Sequence, residues 1–187
     1  MSGPGSNNGA GAAARKWWGE LQPPRNPEGE YRRGDRAAAA RLRRASSWVE
    51  AAAEPQTIAL FQRLGRQNAH QLPRVAVLAA VLAHVRDDDG RGVARAIGAA
   101  LGKEEEALLK PLRLRRLLTA KGDEAILTGF RRLIALMGGK ANIADLARNI
   151  LFWDHPEIGD RIRMKFAFEY WQAGQAAPDS ATEDAAA

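Results

Sequence analysis

Hydrophobic residues recur every three or four positions along most of the chain, which is the spacing of one face of an α-helix. The clearest example is the segment 112–118. Its inner stripe is leucine: Leu114, Leu117 and Leu118. Its outer stripe is arginine: Arg115 and Arg116, with Arg113 on the flank. No acidic residue lies between Lys110 and Thr119 to neutralise this stripe. The segment therefore predicts a helix with one apolar face and one face suited to a polyanion.

Three further segments are predicted to be helices that carry outward arginines. The first runs over residues 36–52, with Asp35 as its N-cap and an apolar stripe of Ala38, Leu42, Ala45 and Val49. Its polar side carries Arg36, Arg43 and Arg44. A short helix over residues 57–64 turns Arg63 outward. A longer helix begins at Asp123, with Arg131 and Arg132 opposite its apolar face.

The remaining segments complete a helical protein. Residues 75–85 are apolar nearly all round and predict a central buried helix. Residues 93–101 form a helix of small side chains, and Asn142 caps a helix over residues 143–152. The last helix, residues 157–172, has two sets of apolar residues that we expect to be buried: Ile162, Phe166 and Tyr170 on one side, and Met164, Phe168 and Trp171 on another. Since no stretch alternates with period two, the fold class is all-α.

Composition changes along the chain suggest how it is divided. Residues 1–14 and 174–187 hold little to bury, so we expect both segments to be disordered. A glycine and a run of charged residues near residue 103 mark a short linker. The prediction is two small helical bundles, residues 15–103 and residues 104–173, joined by that linker.

The charge balance points to an anionic partner. The chain has 187 residues, a formal net charge of +6 and more Arg than Lys. The guanidinium group presents a planar fork of donors that suits phosphate oxygens. The absence of cysteine excludes disulfides, thiolate zinc sites and a cysteine nucleophile. No apolar run approaches the roughly 20 residues of a membrane span, and no signal peptide is evident, so we expect a cytoplasmic protein without a membrane partner.

A catalytic or metal site has no support in the sequence. The three histidines lie far apart and form no metal-binding or catalytic motif. The acidic run at residues 87–89 begins like a calcium loop. However, Arg91 and Gly98 occupy the fifth and twelfth positions, where that loop needs oxygen ligands. The sequence thus predicts a protein that is not an enzyme, with no catalytic residues, no cofactor and no metal.

The predicted nucleic-acid-binding residues are therefore the arginines on the polar faces of these helices. They are Arg36, Arg43, Arg44, Arg63, Arg113, Arg115, Arg116, Arg131 and Arg132. Several basic stripes on separate helices would grip phosphates without reading bases.

A set of short motifs follows in a recognisable order along residues 15–173. The motifs are Trp17-Trp18, Gly34-Asp35-Arg36-Ala37 running into Leu42-Arg43-Arg44-Ala45, Phe61-Gln62-Arg63-Leu64, residues 112–118, Asp145-Leu146, Phe152-Trp153, and a final helix with Arg161, Arg163 and four aromatic residues. This order resembles the small subunit of the type I-E CRISPR interference complex Cascade, the CasB family. Each motif is weak alone, and the ordered set carries the resemblance.

The resemblance implies a subunit of an RNA-guided complex. It implies two stacked copies, contacts with the backbone and large subunits, and contacts with crRNA and target DNA. The implied task is to stabilise the R-loop by holding the displaced non-target strand. Arg43 and Arg44 match one arginine pair of the family and Arg115 and Arg116 the other, whereas the matches of Arg36 and Arg63 are weaker. We expect the two pairs to face one continuous groove.

Two other functions stay open at the level of sequence. A helix-turn-helix regulator would need a helix rich in exposed amides for base edges, and the basic helices here carry few amides. A protein-only helical scaffold would use the same arginines to bind an acidic partner. Binding of single-stranded DNA without sequence preference separates the scaffold from the Cascade subunit.

Overall fold

The computed structural model describes residues 7–22 and 35–173, and within these ranges the chain is almost entirely helical. Its α-helices are α1 (Asn7–Leu21), α2 (Arg36–Arg44), α3 (Trp48–Ala52), α4 (Pro55–Arg63), α5 (Leu72–Leu82), α6 (Val93–Ile97), α7 (Pro111–Leu118), α8 (Asp123–Leu136), α9 (Ile143–Phe152) and α10 (Gly159–Trp171). Single 3-10 turns occupy Ala69–Gln71 and Glu104–Glu106. The predicted all-α class is confirmed. The only strands in these ranges are β1 (Asp87–Asp88) and β2 (Lys140–Ala141), a two-residue parallel pair.

Helix α5 lies at the centre of the structure. Every residue from Val75 to Leu82 is fully buried, as the apolar run predicted. A helix without a polar face must be covered on all sides, and α5 is covered by α2, α3 and α4 on the N-terminal side of the sequence and by α8 and α9 on the C-terminal side. The proposed division between residues 103 and 104 stays a prediction, and α5 contacts helices from both sides of it.

The start of the described chain differs from the prediction of disorder over residues 1–14. Residues 7–14 belong to α1, which packs along α9. Small side chains make this close packing possible, since a Cβ atom at Gly11 would lie 2.8 Å from the Cβ of Ala144. Further along α1, Trp17 is buried and donates a hydrogen bond from its indole nitrogen to Gln56 O (2.9 Å). The predicted disorder of residues 1–6 and 174–187 lies outside the described residues.

The single helix predicted over residues 36–52 is two helices. Asp35 caps α2 as predicted, accepting a hydrogen bond from Ala38 N (2.8 Å). The chain then leaves the helix and restarts at α3, because the Ser47 side chain caps Glu50 N while the Glu50 carboxylate accepts hydrogen bonds from Ser46. These local bonds compete with a continuous helix. The change of direction leaves Val49, which was predicted to be buried, 57% exposed.

The helices α6 and α10 pack closely against each other. The helix predicted over residues 93–101 stops at Ile97, and Ala100 instead pairs with Gln172 in an isolated antiparallel bridge. Tyr170 is fully buried and donates its hydroxyl hydrogen to Leu109 O (2.6 Å), which fixes the end of α10 next to the segment that leads into α7.

The two predicted apolar sets of α10 are not equally buried, although Trp171 of the second set packs against the core. Phe166 and Tyr170 are in the core and Ile162 packs against it, as predicted. Met164 and Phe168 were also predicted to be buried, but they are 68% and 60% exposed. The packing partners of α10 are α6, α7 and α9, and these leave the side of Met164 and Phe168 uncovered.

One arginine joins three helices through two carboxylates. Arg74 on α5 lies 3.0 Å from Asp123 at the start of α8 and 2.6 Å from Asp154 just after α9. Burial alone would raise the pKa of Asp154, but Gly122 N–H and Arg74 outweigh it and hold that pKa below its usual value. Burial dominates at Asp123 and raises its pKa in spite of Arg74. Ionisation of Asp154 therefore stabilises the fold, whereas ionisation of Asp123 destabilises it.

The opposite pKa shifts predict how pH changes stability. The contribution of Asp154 is present above the unfolded pKa of about 3.9 and is lost as pH falls through its lower folded pKa. The ionisation of Asp123 lowers the unfolding free energy as pH rises from about 3.9 through its raised folded pKa. Asp154→Asn should therefore reduce the loss of unfolding free energy at acidic pH. Urea unfolding between about pH 2.5 and 7 measures this loss. Asp123→Asn should remove the loss at higher pH; identical pH profiles for the two variants would contradict this assignment.

The contact between α6 and α10 predicts a site that tolerates only glycine. A Cβ atom at Gly98 would overlap the carbonyl oxygen of Tyr170, so Gly98→Ala should cost about 3 kcal/mol of unfolding free energy or prevent folding. Gly19 in α1 is the control, because it is exposed and a Cβ atom there meets nothing within 4 Å. Gly19→Ala should stabilise by about 0.5–1 kcal/mol. Equal melting temperatures for the two variants would refute the close packing.

Candidate nucleic-acid interface

The helices α7 and α8 enclose an open groove of about 1160 Å³. The two helices approach closely where Gly129 faces Leu117, since a Cβ atom at Gly129 would lie 2.9 Å from Leu117 Cδ1. The groove is lined in part by four leucine side chains: Leu109, Leu117, Leu133 and Leu136. It is also lined by four cationic side chains: Arg113, Arg116, Lys121 and Arg132. The groove thus combines apolar side chains with concentrated positive charge.

The local sequence explains why these cations face the groove. Pro111 in the first turn starts α7, and burial of Leu114 and Leu117 then fixes the rotation of the helix. Arg113 and Arg116 are three positions apart, so they lie on the same side one turn apart. The Thr119 hydroxyl bonds to the carbonyl oxygens of Arg115 and Arg116 (3.1 Å each) and closes the last turn.

The four groove cations have no hydrogen-bonding or ion-pair partner among the described residues. The described lining includes one carboxylate, Glu124, which accepts a hydrogen bond from Trp48 N (3.2 Å) at the start of α3. With four cations and one carboxylate, the described lining carries an excess of three positive charges. The cationic side chains remain available for an anion from outside the described chain.

Three of the nine predicted arginines line this groove: Arg113, Arg116 and Arg132. Four others are exposed but do not line it: Arg36, Arg43, Arg44 and Arg115. Arg43 also donates from Nε to Ala39 O (3.3 Å) in its own helix. Of the four arginines expected to face one continuous groove, only Arg116 lines the α7–α8 groove. The expectation that all four share a groove stays a prediction.

Arg131 is a correction to the sequence prediction. Its guanidinium group donates to Ala45 O (2.7 Å) and Leu42 O (3.0 Å), which are free carbonyls at the end of α2. Burial lowers the pKa of Arg131. The predicted outward stripe on α8 separates into Arg131, which holds α2 on α8, and Arg132, which faces the groove.

Arg63 also serves the fold. It makes two parallel hydrogen bonds to the Glu20 carboxylate (2.9 Å each) and so ties α4 to α1. The hydrogen bond from Arg63 lowers the pKa of Glu20. The predicted role of Arg63 in binding a polyanion does not fit this placement, because the fork that would hold a phosphate is already bound to a carboxylate.

Sequence reasoning missed Lys121. It belongs to the turn between α7 and α8 and lines the groove with the three arginines. The signal available in the sequence was its position between two arginine-bearing helices, directly before the Gly122 that ends the turn. A lysine in a turn carries no helical periodicity, so a helical wheel does not assign it to any face.

Other kinds of site find no support in the described ranges. Residues 7–22 and 35–173 contain no group of three or more histidine or acidic side chains placed to hold a metal ion. No helix within the same ranges is both long and apolar enough to span a bilayer.

Comparison with known proteins gives one consistent family. The family model of the CRISPR-associated protein Cse2 matches residues 38–171. A crystal structure of a Cse2-family CRISPR-associated protein from Thermus thermophilus is 26% identical, with a TM-score of 0.63, and the match covers 87% of this chain and 98% of that chain. A crystal structure of CasB from the same organism gives the same identity and coverage with a TM-score of 0.60. No curated protein sequence matches the chain significantly.

The different placement of two neighbouring arginines can be tested directly. Arg131→Gln should cost about 2 kcal/mol of unfolding free energy, because it leaves carbonyls at the end of α2 without a donor. Arg132→Gln should change stability by less than about 0.5 kcal/mol, since its side chain lines an open groove and has no partner in the described chain. Urea unfolding of both variants under the same conditions measures the difference. Equal stability of the two variants would show that Arg131 does not hold α2.

Proposed function

The chain belongs to the family of the CRISPR-associated protein Cse2, and on that basis we propose that it is a non-catalytic nucleic-acid-binding subunit of a Cascade complex. In this proposal it stabilises the R-loop by holding the displaced non-target DNA strand and the guide and target backbones. Base pairing would read the sequence, while this subunit would hold the strands.

The four unpaired cations of the α7–α8 groove carry this proposal. Phosphate oxygens accept charge-assisted hydrogen bonds from Arg and Lys, and such contacts position a strand without reading its sequence. Among the described residues, the groove lining includes no asparagine or glutamine, the side chains best suited to pair with adenine. The leucine side chains offer an apolar surface to sugars and bases. This combination suits a strand held by its backbone.

The exposed arginines outside the groove extend the proposed interface. Arg36, Arg43 and Arg44 on α2 and Arg115 on α7 have exposed side chains. In the complex they would contact crRNA and target DNA beyond the groove. The other proposed partners are the backbone and large subunits of Cascade and a second copy of this chain.

The alternative functions make different demands on the groove. A helix-turn-helix regulator needs amide side chains at base edges, and the described lining of the groove has none. A protein-only scaffold would bind an acidic protein through the same cations, and it would not bind single-stranded DNA at moderate salt. Measuring DNA binding therefore separates the proposed function from the scaffold.

We expect the isolated protein to bind single-stranded DNA weakly and without sequence preference. Four phosphate contacts predict that the logarithm of affinity falls with the logarithm of salt concentration at a slope of roughly −2.8. Arg113→Gln combined with Arg116→Gln should weaken binding about tenfold, or roughly 0.7 kcal/mol for each lost contact. The same double variant should make the slope shallower by roughly 1.4. Fluorescence anisotropy across a salt series measures all three quantities.

The matched control removes the same charge outside the groove. Arg44→Gln combined with Arg115→Gln should weaken binding less than about threefold, since neither side chain lines the groove. The DNA should be recovered intact with and without divalent metal, as expected of a non-catalytic subunit. A flat salt response, or equal losses in the two double variants, would contradict the groove as the main binding site.

A further inference from the structure

The sequence that follows α10 is acidic, and the last turn of α10 is hydrogen-bonded to Leu109, a residue that lines the cationic groove. We propose that residues 174–187 dock in the α7–α8 groove of their own chain and compete there with nucleic acid. The inference of docking rests on the positive charge of the groove and on the acidic sequence of the segment. The inference of competition rests on the proposed function. The segment would then act as an internal substitute for the phosphate backbone, displaced when a strand arrives.

Charge complementarity identifies the occupant. Residues 174–187 include three acidic side chains, Asp179, Glu183 and Asp184, and no lysine or arginine. The described lining of the groove presents four cations and one carboxylate, and that carboxylate, Glu124, accepts a hydrogen bond from the start of α3. The groove cations have no ion-pair partner among the described residues.

The last turn of α10, the described helix that precedes the acidic segment, contacts a residue of the groove lining. Tyr170 in the last turn of α10 donates its hydroxyl hydrogen to Leu109 O, and Leu109 is one of the residues that line the groove. The C-terminal turn of α10 is therefore joined to the segment that forms one edge of the groove.

The length of the segment is sufficient to span the groove. At about 3.5 Å per residue, Asp179 can reach roughly 18 Å from residue 174, and Asp184 roughly 35 Å. The groove-lining part of α8, residues 124–136, is about 18 Å long at 1.5 Å per residue. The extended segment is therefore at least as long as the groove-lining part of α8.

The contact should be weak as a set of surface ion pairs but favoured by the tether. Exposed pairs contribute about 0–1 kcal/mol each and weaken with salt. Attachment to the same chain makes the contact intramolecular, which raises its effective concentration. Docking should therefore be populated at low salt and yield to a nucleic acid that makes more phosphate contacts.

Docking can be measured in the full chain without nucleic acid. Because the sequence has no cysteine, Ser180→Cys gives a single position for a nitroxide spin label. At about 50 mM salt the label should broaden the amide NMR signals of Thr119 and Gly129 in the groove, and at about 0.5 M salt, where the Debye length falls well below 10 Å, the broadening should disappear. The protein with the reduced label is the reference.

Two quadruple variants of equal charge decide where the segment docks. Arg113→Gln, Arg116→Gln, Lys121→Gln and Arg132→Gln together should abolish the broadening. Arg36→Gln, Arg44→Gln, Arg115→Gln and Arg161→Gln remove four exposed arginines that do not line the groove, and should preserve it. No broadening in the labelled parent, or equal broadening in both variants, would overturn the docking.

Competition is tested by neutralising the segment in the unlabelled full chain. The triple variant Asp179→Asn, Glu183→Gln and Asp184→Asn should bind single-stranded DNA about three- to tenfold more tightly than the parent at 50 mM salt. At 0.5 M salt the two affinities should be equal. Equal affinity of parent and variant at low salt would overturn the competition. If neither protein binds DNA, the proposed function fails, and the spin-label measurement still decides whether the segment docks.

Discussion

The need to enclose a helix without a polar face governs this structure. All side chains from Val75 to Leu82 in α5 are fully buried, so helices must pack around its entire circumference. The helices that do so come from both ends of the sequence. The one charged residue in the first turn of α5, Arg74, is accommodated by Asp123 and Asp154. This enclosure sets the position of α8, and α8 in turn forms one wall of the cationic groove.

The arginines of this protein serve two separate purposes. Arg63, Arg74 and Arg131 bind carboxylates or free carbonyls of their own chain and join helices distant in sequence. The groove arginines bind nothing within the described chain and leave their guanidinium groups to solvent or to an anion. Burying an arginine is costly unless its donors are satisfied, so the partly buried Arg74 and Arg131 need these carboxylate and carbonyl partners. The groove arginines are exposed and can bind an anion from outside the described chain.

The groove also shows how packing between two short helices creates a binding surface. Glycine at position 129 lets α7 approach α8 at Leu117, and the cations of both helices and of their connecting turn then surround one concave space. A concave site concentrates the field of its charges more than a flat surface does. This concentration of charge favours a phosphate backbone, and it equally favours the acidic segment that follows α10.

The sequence by itself determined the helices, the buried centre and the family resemblance, because periodicity and capping are local properties of consecutive residues. It found α5, the caps at Asp35 and Asn142, and Arg113, Arg116 and Arg132 as outward-facing cations. Only the tertiary structure decided which cations meet. A helical wheel shows which side of a helix is polar but not what lies against that side, so Arg131 and Arg132 look equivalent until α2 is placed beside one of them. Lys121, the break before α3 and the exposed Phe168 depend on the same long-range packing, which no local pattern encodes.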